Sequence, residues 1–374
     1  MATIIFKPTE ACNAGCAYCD VISKDSRITK VMSHELLELM FVRVNEFLLE
    51  RPEEQMEIIW HGGEPLLLGE RYFVKALEFQ QKHCASTSSR IRHAIQSNLT
   101  LFSDEFTEVF RKLGIRCIGT SYDPTDGVRT LMKQQDSQAY NARFMEGLRL
   151  LEKEGFDWGP IYVVTKLSLA KPLDIFYFLT NLSPSGKIMF NPVLIYGNNQ
   201  EHLRISPEEF ANFLGVIFPV WWRHRERYLN IEPFSSMVHN LIDSNGMSLS
   251  CNDSGDCFKS HINVAPDGRY SQCGRSSDWG LLDYGSISER SIADVFRDPQ
   301  RDMLTRRDKV LETGECSGCR FWQICHGGCP LDAWSGTGSL MRKSEWCDVK
   351  RVFIEKYFEP ITGIRYDGTV KKGC

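Results

Sequence analysis

Three cysteines close together near the start of the chain constrain its structure more than any other feature. Cys12, Cys16 and Cys19 have the spacing C-x3-C-x2-C. Because Cys16 and Cys19 are three residues apart, one helical turn would bring both thiols to the same face, and Cys12 would reach them from the preceding loop. Three thiolates suit a cubane iron–sulfur cluster, which normally takes four protein ligands. With no fourth cysteine nearby, one iron would stay open to another ligand. A zinc site is the alternative, but zinc usually takes four ligands from paired C-x2-4-C units.

This spacing resembles that of the radical S-adenosylmethionine (SAM) enzymes. In that family the open iron is chelated by the amino and carboxylate groups of SAM. An electron from the cluster then cleaves SAM to methionine and a 5′-deoxyadenosyl radical, which abstracts hydrogen from the substrate. The resemblance therefore implies a [4Fe-4S] cluster on the three cysteines, SAM as a second cofactor, and an electron donor such as flavodoxin or ferredoxin.

An alternation of apolar strands and amphipathic helices follows the cysteine motif. The predicted strands lie near residues 2–8, 57–60, 91–97, 116–121, 161–164 and 187–190. The predicted helices that follow them lie near residues 32–49, 70–83, 103–113, 138–154, 172–182 and 206–228. Such alternation predicts an α/β fold with a parallel sheet. The resemblance makes it a partial (β/α)6 barrel, with ligand-binding residues at the carboxyl ends of the strands.

Short segments at the predicted strand ends resemble the SAM-binding motifs of the family. The sequence Gly62-Gly63-Glu64-Pro65 resembles the GGEP motif, which contacts the SAM amino group, and glycines let a backbone approach a ligand closely. Ser121 belongs to an S-x-D segment, in which the serine contacts SAM. An arginine usually pairs with the SAM carboxylate; Arg129 is the nearest candidate and Lys133 the alternative. The SAM contacts that the resemblance implies are Tyr18, Gly62, Gly63, Glu64, Asn98, Ser121, Arg129 and Leu194.

A second group of cysteines begins at Cys251. From Cys257 onward, seven cysteines match the spacing C-x9-15-G-x4-C … C-x2-C-x5-C-x3-C … C, which resembles the SPASM domain. Seven cysteines cannot fill two four-coordinate clusters, and Cys251 supplies an eighth. By resemblance to two-cluster members, auxiliary cluster I takes Cys251, Cys257, Cys273 and Cys329, and auxiliary cluster II takes Cys316, Cys319, Cys325 and Cys347. Two structural zinc sites are the alternative. No role is assigned to Cys84, Cys117 or Cys374.

The predicted organisation is a radical SAM barrel over residues 1–230 and an auxiliary-cluster SPASM domain with a bridging helix over residues 231–374. The net charge of −4 does not suggest a nucleic-acid-binding surface, and no apolar run approaches the length of a membrane span. The first residues do not resemble a signal peptide, and clustered cysteines are typical of metal ligation in a reducing compartment. We therefore expect a cytoplasmic protein that binds neither nucleic acid nor membrane.

The combined motifs also suggest a substrate class. SPASM-type radical SAM enzymes mostly modify ribosomally made peptides or proteins, and over residues 3–350 the layout resembles the anaerobic sulfatase-maturating enzymes. Those maturases carry an aspartate, which acts as a base, directly after the cysteine that corresponds to Cys273. Here Gly274 and Arg275 follow.

The sequence therefore favours hydrogen abstraction from a residue of a peptide or protein, followed by crosslinking or oxidation, with auxiliary cluster I accepting an electron. Formylglycine formation and dehydrogenation of a small molecule are alternatives. A metal-binding scaffold or electron-transfer protein is a further one, and it would produce no 5′-deoxyadenosine. Since the barrel begins at residue 3, we expect no leader-binding domain before it.

Overall fold

The computed structural model describes residues 1–19, 30–131, 136–183, 186–195, 198–242 and 249–368. Lys133 and Cys374, both considered above, lie outside these ranges. The chain divides into two compact units, Met1–Trp158 with Phe258–Arg301, and Gly159–Cys257 with Asp302–Cys374. The domain boundary near residue 230 stays a prediction.

The elements of the described residues alternate between strand and helix over the first half of the chain. The strands are β1 Ala2–Thr9, β2 Met56–Gly62, β3 Ile91–Gln96, β4 Cys117–Ser121, β5 Asp157–Val164, β6 Ile188–Pro192, β7 Ile231–Glu232, β8 His261–Val264, β9 Arg269–Ser271 and β10 Asp283–Ser286. The helices are α1 His34–Glu50, α2 Glu70–His83, α3 Asp104–Leu113, α4 Ser137–Lys153, α5 Pro172–Leu182, α6 Pro207–Arg223, α7 Phe234–Ile242, α8 Gly274–Asp278, α9 Ile292–Phe296, α10 Pro299–Thr313, α11 Trp322–Cys325, α12 Pro330–Thr337, α13 Cys347–Phe353 and α14 Glu359–Thr362. Within these residues, no helix is both long and apolar enough to cross a membrane.

The first unit contains a mostly parallel sheet. Strands β1, β2, β3 and β4 are parallel neighbours in chain order. On the other side of β1, β8 joins the sheet in parallel, with Ile5 opposite Asn263. The antiparallel strands β9 and β10 then extend the sheet. In the second unit β6 lies parallel to β7, and β5 pairs in parallel with β6. The predicted α/β fold with a parallel sheet is therefore confirmed.

Helix α6 shows how local sequence sets the ends of an element. Ser206 and Glu209 form a capping box, and Pro207 occupies the first helical position, where its missing N–H costs nothing. The helix ends at Arg223, five residues before the predicted end. Residues 223–227 are polar or charged and exposed, so they offer no apolar face that would extend the buried side of the helix.

An aromatic cluster forms part of the core of the second unit. Phe218 of α6 is fully buried, and its ring lies 5.1 Å from Phe353 of α13 and 5.7 Å from Phe234 of α7. Trp221 is also buried and contacts Phe234 at 5.3 Å. Phe218 and Trp221 are therefore core residues.

A buried network identifies the face of the sheet that is covered by helices. The Trp60 ring lies 5.0 Å from Phe6 and 4.8 Å from Phe73 of α2. Its Nε1–H donates to His93 Nδ1 at 3.0 Å, and His93 Nε2 lies 2.7 Å from Gln80 Oε1 of α2. Phe6, Trp60 and His93 thus face the helices. Because side chains alternate along a strand, the residue after Phe6 points to the opposite face.

This network predicts a loss of stability in mild acid. Burial lowers the pKa of His93 to about 4, below the unfolded value of about 6.5. As the pH falls, the unfolded chain therefore binds a proton at His93 before the folded chain does. The stability that neutral His93 contributes to the fold is fully present above pH 6.5 and is lost as the pH falls toward 4. We expect a loss of about 3 kcal/mol in the free energy of unfolding across that window. Denaturant unfolding at several pH values measures it. His93→Gln is the control, and in this variant the free energy of unfolding should depend less on pH over the same window. An equal dependence on pH in the variant would assign the loss to other groups.

Candidate active site

The cysteine loop, which runs from Thr9 at the end of β1 to Cys19, contains a turn and is held against the segment after β4. Cys19 N–H donates to the Cys16 carbonyl at 3.1 Å, so the turn that the C-x2-C spacing predicts is present. Gly15 N–H donates to the Thr130 carbonyl at 2.7 Å, and Thr130 Oγ1 donates back to the Gly15 carbonyl at 3.0 Å. These bonds hold the loop beside Arg129.

Two glycines at the end of β2 let the start of the cysteine loop pass close by. Gly63 N–H donates to the Thr9 carbonyl at 3.0 Å. Gly62 has φ of 117°, and a Cβ atom there would lie 2.1 Å from the Thr9 oxygen. A Cβ on Gly63 would lie 2.1 Å from the Ala11 oxygen. The glycines do serve a close backbone approach, and here it is the protein's own cysteine loop that comes close.

The Glu64 carboxylate joins the end of β2 to the segment after β3. It is buried and accepts hydrogen bonds from Asn98 N–H at 2.7 Å, Ser97 Oγ at 2.9 Å and Leu66 N–H at 3.0 Å. Burial raises the pKa of Glu64 to about 7, although these donors favour the ionised form. Glu64 therefore fixes the backbone around it, and its carboxylate oxygens are already engaged within the protein.

Asn98 connects this network to Cys12. Its Nδ2 donates to Asn13 Oδ1 at 2.9 Å and lies 3.8 Å from Cys12 Sγ, while Ala14 N–H donates to the same sulfur at 3.4 Å. Burial is the main reason that the pKa of Cys12 is raised to about 12. Bound iron would reverse that effect, because a coordinating thiol is deprotonated outright. N–H donors at the sulfur then suit a cluster-bound thiolate.

Arg129 contacts two other predicted site residues, Tyr18 and Ser121. Its Nε donates to Tyr18 Oη at 2.8 Å, and its Nη1 donates to the Ser121 carbonyl and to Tyr140 Oη. The side chain is buried, and the acceptors in these bonds are neutral. Since a buried cation is costly without a negative partner, an anionic ligand would complement this position. The structure thus brings Tyr18, Ser121 and Arg129 together.

No sequence motif indicated that two further residues, Tyr140 and Lys7, belong to this region. Tyr140 lies on α4 and binds Arg129. Lys7 of β1 is 1% exposed and pairs with Asp278 at the end of α8. Lys7 follows Phe6, so it points away from the helix-covered face of the sheet. A Cβ on Gly62 would lie 3.6 Å from Lys7 Cα, so the backbone of Lys7 is beside the glycine segment.

Leu194 follows β6 and belongs to the second unit. Its contact with SAM stays a prediction.

The described residues contain no disulfide bond, and in the second unit burial together with neighbouring thiols raises the pKa values of Cys316, Cys325 and Cys347. Burial, followed by the neighbouring thiols of Cys325 and Cys319, raises the pKa of Cys316 to about 11. Burial likewise raises the pKa of Cys325 to about 11, with Cys347 and Cys319 contributing. These four cysteines are the set predicted for auxiliary cluster II.

Within the described part of the chain, no three His, Cys, Asp or Glu side chains converge as ligands of a single metal ion would. A cubane does not require such convergence, because its thiolates attach to different irons.

Comparison with known proteins identifies the class of this chain. Residues 6–179 match the radical SAM superfamily. Residues 6–179 therefore carry a radical SAM domain, which confirms the prediction of an enzyme with this domain, and such a domain implies a [4Fe-4S] cluster and SAM.

Particular relatives extend the similarity over nearly the whole chain. A serine-type anaerobic sulfatase-maturating enzyme of Bacteroides thetaiotaomicron is 26% identical over 368 residues, which cover 89% of this chain and 84% of that protein. A cysteine-type enzyme of Clostridium perfringens is 24% identical over 382 residues, covering 97% of this chain and 98% of its own length. The solved structure of native anSMEcpe with bound AdoMet and a Kp18Cys peptide has a TM-score of 0.81 at 22% identity, and covers 97% of this chain and 98% of that one. The radical SAM fold is thereby confirmed.

Proposed function

We propose that this enzyme abstracts a hydrogen atom from a residue of a peptide or protein, and that the product is a crosslinked or oxidised side chain. The observation that carries the proposal is that Arg129 is a buried cation beside the cysteine loop and that the three groups accepting its hydrogen bonds are neutral. Two similar proteins are sulfatase-maturating enzymes, and the similar solved structure contains a peptide together with AdoMet.

In this proposal Arg129 pairs with the SAM carboxylate, and the backbone at Gly62 to Glu64 receives the amino group. Ser121, Asn98 and Tyr18 complete the surroundings, and Leu194 contacts the adenine. When bound, the cluster and SAM supply the hydrogen-abstracting radical. The chain's own residues orient SAM and hold the cysteine loop, which Thr130 and Gly63 fix from two sides.

We further propose three [4Fe-4S] clusters. The first uses Cys12, Cys16 and Cys19, with flavodoxin or ferredoxin as its electron donor. The auxiliary clusters use the two sets of four cysteines given above. The effect of neighbouring thiols, including that of Cys319, on the pKa values of Cys316 and Cys325 supports the set for auxiliary cluster II. The place of Cys273 in auxiliary cluster I rests on its spacing alone.

Formylglycine-type oxidation is a second candidate, and one observation favours it. After hydrogen abstraction from Cβ, a serine or cysteine residue must lose the proton of its hydroxyl or thiol and one further electron, which auxiliary cluster I would accept, to become an aldehyde or thioaldehyde. No carboxylate follows Cys273 directly, but Asp278 lies one short helix later. It is held by Lys7 on the face of β1 away from the helices. Asp278 is therefore a candidate proton acceptor that the spacing of the maturase motif does not reveal.

Replacement of Asp278 tests this second candidate. With SAM, a reductant and synthetic peptides that each contain one serine or one cysteine, the parent enzyme should form 5′-deoxyadenosine and an aldehyde that a hydrazide reagent traps. Because a positioned base contributes about 10²-fold or more, Asp278→Asn should lower aldehyde formation by about 10²-fold while SAM cleavage continues. Mass spectrometry and chromatography measure both products.

The matched control is Asp283→Asn, which removes an exposed carboxylate that pairs with Arg269 and should leave both products unchanged. A parent enzyme that crosslinks the peptide without trapped aldehyde would contradict the second candidate and support the first. Absence of 5′-deoxyadenosine under every condition would contradict both.

A further inference from the structure

A buried arginine in the second unit takes no part in the site described above. The Arg307 side chain, on α10, is 2% exposed. Its guanidinium donates to four main-chain carbonyls, those of Leu340 at 2.8 Å, His326 at 3.3 Å, Gly327 at 3.2 Å and Arg342 at 2.8 Å. Only a planar fork of several donors can bind so many carbonyls at once. Arg307 therefore ties the segment 326–327 to the segment 340–342.

Both segments lead to proposed cluster ligands. Gly327 lies between Cys325, assigned to auxiliary cluster II, and Cys329, assigned to auxiliary cluster I. The Gly327 carbonyl also accepts from Ser344 N–H at 2.8 Å, and the Ser344 carbonyl accepts from Cys347 N–H at 3.2 Å. The bonds made by Arg307 therefore act on the backbone that separates the ligands of the two clusters.

The backbone at this point is shaped to meet Arg307. His326 and Gly327 adopt left-handed conformations, with φ of 44° and 73°, and their consecutive carbonyls both accept from Arg307. A Cβ on Gly327 would lie 2.5 Å from Leu311 Cδ1 and 3.6 Å from Cys316 Sγ. Glycine is thus required both for the turn and for the close packing beside a proposed ligand.

All four acceptors are main-chain carbonyls, so none of them carries a negative charge that would balance the charge of Arg307. Burial lowers the pKa of Arg307, and the groups that oppose this effect are Cys329, Asp308, Cys316 and Cys257. Asp308 also lies 3.5 Å from His326 Nδ1. The remaining three are cysteines of both proposed auxiliary sets. The buried cation of Arg307 therefore lies near proposed ligands of both auxiliary clusters, and its positive charge would complement the negative charge of each cluster.

We propose that Arg307 is a positioning residue shared by the two auxiliary clusters, which spaces their ligand segments and raises the reduction potential of both. The inference rests on the proposed function, since it requires the clusters. A cubane ligated by four thiolates carries a net negative charge, and net charge and nearby electrostatics set its potential. Reduction adds negative charge, so a buried cation favours the reduced form, and loss of the cation lowers the potential.

The experiment uses the full chain with the Cys16→Ala substitution, in which only the auxiliary clusters are expected to be loaded. We compare Arg307→Met, which removes the charge, with Arg307→Lys, which keeps the charge but not the fork. The matched control is Arg306→Met, because Arg306 is the exposed neighbour. Iron content and potentiometric titration followed by electron paramagnetic resonance are measured for each protein.

We expect Arg307→Met to shift both potentials downward, Arg307→Lys to stay nearer the parent values, and Arg306→Met to leave them unchanged. Unchanged potentials in Arg307→Met, or an equal shift in Arg306→Met, would overturn the inference. Should Arg307→Met take up no iron, Arg307→Gln, which retains an amide donor for the carbonyls, replaces it with the same expected shift. Zinc in place of iron in the Cys16→Ala parent would instead contradict the proposed auxiliary clusters.

Discussion

Replacement of Cys16 by alanine is expected to abolish reductive cleavage of SAM while most of the iron remains bound. Three cubanes correspond to about twelve irons per chain, and the variant should keep about eight. The physical reason is that the substitution removes one of only three proposed thiolate ligands of the first cluster. The proposed auxiliary clusters, by contrast, each have four cysteines of their own. Iron and sulfide analysis after anaerobic reconstitution, together with chromatography of 5′-deoxyadenosine, measures both effects.

Cys117→Ala is the matched control for this experiment. Cys117 is exposed on β4 and lies outside all three proposed ligand sets, so iron content and SAM cleavage should match the parent. A parent protein with about four irons and with zinc in the remaining sites would make the C-terminal cysteines structural. In that case the electron-acceptor role of auxiliary cluster I would be wrong, although the radical SAM site would stand.

The second large effect is expected from Arg129→Gln, which should weaken both SAM binding and the fold around the cysteine loop. Loss of a charge-assisted pair with the SAM carboxylate removes about 1.5–3 kcal/mol, or roughly 10- to 100-fold in affinity. The same change leaves Tyr18 Oη, Tyr140 Oη and the Ser121 carbonyl without their donor. We expect about 3 kcal/mol less stability from that source. Equilibrium binding of SAM and denaturant unfolding separate the two effects.

Arg129→Lys and Arg111→Gln complete this experiment. Lysine keeps the charge but lacks the planar fork, so it should restore part of the affinity. Arg111 pairs with Glu154 at 2.8 Å on the surface, and an exposed pair contributes about 1 kcal/mol or less. SAM affinity that is unchanged in Arg129→Gln would exclude Arg129 as the carboxylate partner, even if the variant is less stable.

Sequence spacing was sufficient to predict local structure wherever the interactions that form it join residues close together in the chain. The turn between Cys16 and Cys19, the helices at 70–83 and 172–182, and the start of the helix predicted from residue 206 depend on residues a few positions apart. The glycines at the end of β2 were predicted to let the backbone approach SAM; in the structure they make room for backbone atoms of the cysteine loop, and the contact with SAM stays a prediction. What the pattern could not reveal is that Thr9 and Ala11 are the groups that come close, because those residues are about fifty positions earlier in the chain.

The sequence by itself therefore determined the class of the protein, since short motifs and the alternation of strands and helices rest on local chemistry. Tertiary structure alone decided three matters. β8 joins the sheet beside β1, Arg129 is enclosed by Tyr18 and Tyr140, and Lys7 meets Asp278 although 271 positions separate them. The physical reason is the same in each case: which distant segments come together depends on the packing of the whole chain, and no short spacing records it.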